Sequence, residues 1–278
     1  MPDIQFKNID KSKFSLIKHE DELLHIANTN QYHIIFFNED CECEVNFKVC
    51  RVKDTQVLFL NASDVFICKT RGGTVSQFSF DYQVFDKDHC ETQRLINGLL
   101  FNGLLSCNLL YFDARELLKS KLYLKKLLSF QAKGDNGTFK MTFKETITQA
   151  IIEKHKQFFY ENEISKNHHA IYNYLSLVNE NFKMEHRVFV YAQILRVQPK
   201  ILTKIFSDLK INNPKSYLNK RILLAAKKLL AYSTNNSTEV SYEIGFNEPA
   251  YFARFFKKNT GITPKQFRKS QTLTESIN

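Results

Sequence analysis

Between Asn236 and Ser270, glycine and proline fall at intervals that leave the backbone few choices. In NSTEVSYEIGFNEPAYFARFFKKNTGITPKQFRKS, Asn236 and Glu239 stand as a helix N-cap and its third-position partner. A short helix burying Val240 and Ile244 should follow, closed at Gly245 by a turn that only glycine takes cheaply. Asn247 is expected to cap the next helix, with Pro249 in its first turn, where a missing amide hydrogen costs little. Phe252, Phe255 and Phe256 recur at i, i+3, i+4 and must face a core, which leaves Ala250, Arg254, Lys257 and Lys258 outward. Gly261 closes that helix and Thr263-Pro264 opens a last one. Two short helices, a tight glycine turn and a basic outer face describe a helix-turn-helix, whose second helix enters a major groove.

A similar arrangement lies upstream. Val188, Tyr191, Ala192 and Leu195 form the apolar stripe of a supporting helix, and Arg196-Val197-Gln198 reads as the turn. Pro199 begins a helix burying Leu202, Ile205 and Phe206, with Lys200, Thr203 and Lys204 outside. Between the units, Asn213-Pro214 starts a long helix with Leu218, Ile222, Ala225, Ala226 and Leu229 inward. Such a helix is about 25 Å long, enough to hold two reading helices near one DNA turn apart.

At these residues the segment from about Ile171 to Ser270 resembles the DNA-binding domain of the AraC/XylS family of transcription regulators. GFNEPAYFARFFKKNTGITPKQFR carries the family's G-F, Y-F, R-x-F-K, G and P-x-x-[FY]-R at matching spacings. AQILRVQPKILTKIF is similar to the family's first unit, and NKRILLAAKKLL to its connecting helix. Three positions depart from the pattern. Ile211 stands where a glycine usually follows the first reading helix, so Asn212 or Asn213 should supply the turn; Ser241 replaces a more usual Ala; Pro249 and Ala250 stand where polar base readers are frequent. The resemblance implies base contacts from Lys200, Thr203 and Lys204 in the first unit and from Pro249, Ala250 and Arg254 in the second, with phosphate contacts from Lys257 and Lys258.

Charge agrees with that partner. The net charge is +10, and residues 164–278 hold 18 Lys plus Arg against 7 Asp plus Glu, while the first 163 residues hold 21 against 22. Excess positive charge confined to one end points to an acidic polymer, because cationic side chains displace counterions condensed on phosphates.

Residues 1 to about 85 read as β-rich. YHIIFF (Tyr32–Phe37), CEVNFKV (Cys43–Val49), QVLFL (Gln56–Leu60), VFICK (Val65–Lys69) and VSQFSF (Val75–Phe80) are short runs separated by turn residues, the pattern of a small sandwich or barrel. From about Asp86 the periodicity becomes helical: Leu95, Leu99 and Leu100 share a face, as do Leu117, Leu118, Leu124, Leu127 and Leu128. A third helix is expected near Phe143 to Tyr160, with Ile147, Ile151, His155 and Phe158 along one stripe, which could pack inside the chain or pair two copies. KGDNG (Lys133–Gly137) reads as a loop and ENEISKN (Glu161–Asn167) as a linker.

These readings give an α+β chain: residues 1–162 form a small β-barrel or sandwich with flanking helices, and residues 168–272 an all-α domain of two helix-turn-helix units joined by a long helix. By family analogy the first domain is cupin-like and senses a small-molecule effector or mediates dimerisation. Double-stranded DNA is the expected partner, with an effector, RNA polymerase and a second copy of the chain as further candidates.

No cofactor, metal or catalytic residue is expected. His19, His25 and His33 are spaced too widely for the His-x-His of a metal-using cupin, and six cysteines without a second zinc-spaced pair read as small buried or half-buried thiols. Cys41 and Cys43, two apart, would share a face of a strand. A metal-dependent cupin enzyme with an accessory DNA-binding tail and a ligand-independent architectural DNA binder are the competing readings. The start, MPDIQFKNIDKSK, has no apolar signal core, so secretion is not expected and a cytoplasmic location is. The apolar stretch Leu95 to Phe112 carries Asn97, Asn102 and Asn108, amides costly to bury in lipid, and reads as an internal helix followed by a turn and a strand-like piece, not a span.

Overall fold

The computed structural model describes residues 14–20, 23–27, 29, 31–69, 74–81, 100–102, 109–111, scattered helical positions between 115 and 153, and residues 168–209 and 212–275. The chain divides into two compact units, Met1–Leu175 and Ser176–Asn278.

Among the described residues, the first unit has nine strands: β1 (Phe14–Glu20), β2 (Leu23–Ile26), β3 (Gln31–Phe37), β4 (Cys41–Val45), β5 (Lys48–Val52), β6 (Gln56–Leu60), β7 (Phe66–Lys69), β8 (Thr74–Asp81) and β9 (Leu109–Tyr111). They form a five-stranded sheet in the order β1-β8-β3-β6-β9 and a four-stranded sheet in the order β2-β7-β4-β5. Ile35, Phe37, Leu58, Leu60 and Val75 of the first pack with Leu24, Ile26, Cys43, Val45, Val52, Phe66 and Cys68 of the second. Of the two β architectures expected, the chain therefore adopts the sandwich.

Strands β3 and β6 are buried along almost their whole length, which explains why QYHIIFF and QVLFL show no polar alternation. One face fills the space between the sheets. The other lies under an aromatic layer: Phe101 packs on Tyr32 and Phe59 at ring separations of 4.5 and 5.5 Å, and Phe143 on Phe80 at 5.0 Å. Ile147 and Ile151 are buried on the helical turns that carry Phe143, as their shared stripe predicted, and Ala150 is buried beside them. Leu118 is an exception to its expected face, 61% exposed while Leu127 is buried. Leu95, Leu99, Leu124, Leu128, the Lys133–Gly137 loop, His155, Phe158 and the Glu161–Asn167 linker lie outside the described residues.

The sequence run CEVNFKV is not one strand. Asn46 and Phe47, both with positive φ (54° and 62°), turn the chain so that β4 and β5 form a hairpin with Val45 opposite Lys48. Two consecutive left-handed residues make the turn type that suits the twist of a two-residue hairpin. The turn is held from outside: the Asn46 side chain donates to Asp64 at 2.8 Å and accepts from the Val65 amide at 2.9 Å.

A polar group sits inside this apolar unit. His33 faces Ser79 across β3 and β8, and Ile35 faces Gln77, so His33, Gln77 and Ser79 share the sheet face that carries Ile35. The ring nitrogens of His33 meet Ser79 Oγ at 2.8 Å, Gln77 Nε2 at 3.1 Å and Thr29 Oγ1 at 3.0 Å. Burial pushes the His33 imidazole down to about 4.

From His168 onward the described residues form seven helices: α1 (His168–Asn181), α2 (Val188–Ile194), α3 (Pro199–Asp208), α4 (Pro214–Tyr232), α5 (Ser237–Glu243), α6 (Pro249–Thr260) and α7 (Pro264–Glu275). Four of the seven open on proline at their first position, and α4 is 19 residues long, roughly 28 Å at 1.5 Å per residue. Pro214, Tyr217, Leu218, Arg221, Ile222, Leu224, Ala226 and Leu230 are its buried residues. Ala225 and Leu229, expected inward, are only half-buried; helix contacts on more than one side move the buried stripe to Leu224 and Leu230. Helix α4 touches α2 and α3 on one hand and α5 and α7 on the other, the place of a connecting helix. No helix among the described residues is long and apolar enough to cross a membrane.

Candidate nucleic-acid interface

The two short-helix pairs are closed by the same backbone device. In the first, Arg196 adopts φ 54° and the Val197 amide donates to the Ala192 carbonyl at 3.0 Å. In the second, Gly245 adopts φ 87° and the Phe246 amide donates to the Ser241 carbonyl at 2.9 Å. Each bond reaches back five residues around one left-handed residue, the C-terminal closure that lets a helix end in a sharp turn. Ala192 and Ser241 are both fully buried at the corner, and the Ser241 hydroxyl is satisfied by donating to the Thr238 carbonyl at 2.7 Å. The departure from alanine at Ser241 therefore leaves no orphan polar group.

The turns differ by one residue. Three residues separate Leu195 from the α3 proline, whereas four separate Ile244 from the α6 proline. Glu248, not Asn247, is consequently the N-cap of α6, and it makes no capping hydrogen bond from its side chain. The proline supplies what the cap does not, since its ring presets the first helical φ and removes one amide in need of a partner. The helix in front behaves as expected: Asn236 accepts from the Thr238 and Glu239 amides, and Glu239 accepts from the Asn236 amide at 2.7 Å. At α4, Asn213 accepts from the Ser216 amide at 2.8 Å with φ −57°, so it works as a cap and not as a left-handed substitute for glycine; Ile211 lies outside the described residues.

Helices α3 and α6 present the predicted side chains to solvent. Lys200, Thr203 and Lys204 are exposed on α3, while Leu202, Ile205 and Phe206 are buried beneath them. On α6, Ala250, Arg254, Lys257 and Lys258 are exposed, Pro249 is half-buried, and Phe252 and Phe256 are buried. Phe255, expected in the core, is half-buried and packs on Phe246 at 5.3 Å. The Thr203 hydroxyl donates to the Pro199 carbonyl at 3.0 Å, leaving its oxygen as an acceptor.

Two exposed residues on these helices carry apolar bulk that periodicity had not singled out. Tyr251 is 58% exposed, three positions before Arg254, and Ile201 is 40% exposed beside Lys200. Their signal was present in the spacing, because neither falls on the Leu202–Phe206 or Phe252–Phe256 stripe.

Other residues brace the two units against each other. Between α1 and α2, the loop at Lys183–Arg187 lies against the second turn: His186 Nε2 meets the Ile244 carbonyl at 3.0 Å, and its ring packs on Phe246 at 4.8 Å. Lys183 pairs with Glu243 at 3.2 Å. The same loop is held by Lys215, at the start of α4, which donates to the His186 carbonyl at 2.8 Å. Burial holds the His186 imidazole below its ordinary range. At the other end of α4, Arg268 donates to the carbonyls of Leu230 and Asn235, placing a cation where the helix carbonyls end. That gives the arginine of the P-x-x-[FY]-R pattern a structural task.

Residues 191–270 match the family described as a helix-turn-helix domain. Among curated proteins, the chain is 33% identical over 111 residues to an uncharacterized HTH-type transcriptional regulator of Pseudoalteromonas carrageenovora, covering 39% of this chain and 64% of that one. It is 35% identical over 75 residues to the probable transcription factor PqrA of Proteus vulgaris, covering 27% and 62%. The chain thus spans less than two thirds of the length of these relatives. Among solved structures, unsaturated fatty acid bound ToxT from Vibrio cholerae aligns over 96% of this chain and 97% of its own at 13% identity, with a TM-score of 0.45.

Proposed function

We propose that this chain, whose C-terminal domain belongs to the AraC/XylS family, is a sequence-specific DNA-binding transcription regulator that lays α3 and α6 in neighbouring major grooves of one duplex. The observation that carries the reading is the repeated construction: two turns closed by equivalent hydrogen bonds, Val197 to Ala192 and Phe246 to Ser241, each delivering a proline-opened helix with an exposed cationic side. Lys200, Thr203 and Lys204 meet base edges from α3, and Pro249, Ala250 and Arg254 from α6. Arg254 is the side chain able to grip guanine at two acceptors, and Ala250 is small enough to meet a thymine methyl. Lys257 and Lys258 sit in the last turn of α6 and touch phosphate.

In this reading the chain is a cytoplasmic non-enzyme, and its sandwich unit binds an effector or a second copy of the chain. Titration of the full chain with promoter fragments at physiological salt tests the proposal. A preference over random duplex on the order of 10³-fold is expected, and equal affinity for both overturns it.

A further inference from the structure

The four-stranded sheet of the sandwich concentrates thiols that DNA binding does not use. Cys41 and Cys43 on β4, Cys50 on β5 and Cys68 on β7 lie on adjacent strands, and none of the four is in a disulfide. Cys43 is directly opposite Cys50 on one side and Cys68 on the other. The sulfurs resolve into two pairs, Cys43 with Cys50 at 3.4 Å and Cys41 with Cys68 at 3.8 Å. Among the described residues, no group of three or more His, Cys, Asp or Glu converges as a metal site, so the arrangement is one of pairs.

We infer that Cys43 and Cys50 form a reversible disulfide with a peroxide as oxidant, making the β4–β5 hairpin a modification site of the N-terminal unit. Directly opposed residues of an antiparallel pair have Cα atoms about 4.5 or 5.5 Å apart, and both values fall inside the disulfide range. Moving the sulfurs from 3.4 Å to a bond of about 2.05 Å needs side-chain rotation and no strand movement. The hairpin cannot slip out of this register, because Asn46 in its turn is fixed to Asp64 and Val65. Cys50 is half-buried and reachable, whereas Cys43 is 3% exposed and backs onto the core.

Cys50 therefore reacts first. Its thiolate attacks one peroxide oxygen, the S–O bond forms, the O–O bond breaks, and the departing hydroxide leaves as water. The Cys43 sulfur then attacks the sulfenic sulfur; the S–S bond forms, the S–O bond breaks and a second water leaves with the thiol proton. Two thiols lose two electrons, and peroxide is reduced to two waters. A dithiol reverses the change by exchange.

Trypsin makes the pairing readable. Cleavage after Lys18, Lys48, Arg51, Lys53 and Lys69 puts Cys41 and Cys43 in peptide 19–48, Cys50 in 49–51 and Cys68 in 54–69. The full chain is treated with hydrogen peroxide, blocked with an alkylating agent and digested without reductant for mass spectrometry. A linked 19–48/49–51 species, two hydrogens lighter than its parts, is expected; it should disappear with dithiothreitol and in C50S, and persist in C41S. Its absence from the wild-type chain, its loss in C41S, or a yield no greater than in chain unfolded by guanidinium overturns the proposal. Thermal unfolding of both variants alongside wild type verifies that each is folded when oxidised.

Discussion

The backbone carbonyl of Lys183 occupies the space that a Cβ on Gly245 would fill. Gly245 is thus fixed twice, by its φ of +87° and by a neighbour 62 positions away in sequence that cannot swing aside. Gly261 has nearly the same φ, +83°, with nothing close to its missing Cβ.

The two glycines should therefore part company on substitution. Gly261→Ala carries only the left-handed penalty and should cost about 1 kcal/mol, whereas Gly245→Ala adds a backbone collision and should cost about 2–4 kcal/mol. Denaturant unfolding of the full chain, followed by a C-terminal probe, measures both. Equal losses would mean that the loop at Lys183 yields freely.

Capping of the two helices in the second unit can be separated in the same way. Asn236→Ala removes the side-chain half of a reciprocal cap, the acceptor for the Thr238 and Glu239 amides, and should cost about 1 kcal/mol. Glu248→Ala removes an N-cap side chain that makes no capping hydrogen bond, and its effect on the unfolding midpoint should stay within about 0.5 kcal/mol.

On DNA, Arg254→Ala should weaken binding to a specific site by about 1–3 kcal/mol and leave random duplex much less affected. Lys257→Ala should instead weaken all duplexes alike and lower the slope of log affinity against log salt by about 1. Salt titrations on matched specific and random duplexes distinguish the two behaviours; equal losses on both for Arg254→Ala would make it a phosphate or scaffold contact.

Acid should loosen the sandwich through His33. Its folded value is about 4, below the ordinary 6.5 of an unfolded chain, so between these values the unfolded state takes up a proton that the folded state refuses. Stability present at neutral pH is lost as pH falls through 6.5, and the loss levels off near 4. At about pH 5 it should amount to roughly 2 kcal/mol. A His33→Gln variant should lack this component when unfolding is compared at about pH 7.5 and 5. An unchanged pH dependence would show that His33 takes up its proton in the fold as readily as in the unfolded chain.

The C-terminal unit was readable because its signals are local. Gly245, Gly261, Asn236 and the prolines act on their own few residues of backbone, and the phenylalanine stripe marks its face by spacing alone. The exceptions turn on one residue. Asn247 is a better cap than Glu248 by type, but the extra residue in the second turn leaves it one position short of the helix start, and on α4 Leu230 is buried in place of Leu229 because neighbours touch that helix from several sides. In the N-terminal unit, Phe47 hid a turn, since an aromatic in a run with Val45 and Val49 reads as strand and takes a left-handed backbone only when fixed from elsewhere. His33 gave no hint of Ser79, 46 positions on, because that partnership is made by strand pairing. Neither did His186 point to Phe246, nor Lys183 to Gly245. Contacts between distant segments have no period to read.

The loop from Lys183 to His186 is wedged against the second turn and tethered by Lys215 to the head of α4. A body braced at that point resists changes in the pitch between its two DNA-facing helices. The double helix must then do the accommodating, and base pairs lying between the two contacted grooves will influence affinity through their stiffness alone, without a side chain ever reaching them.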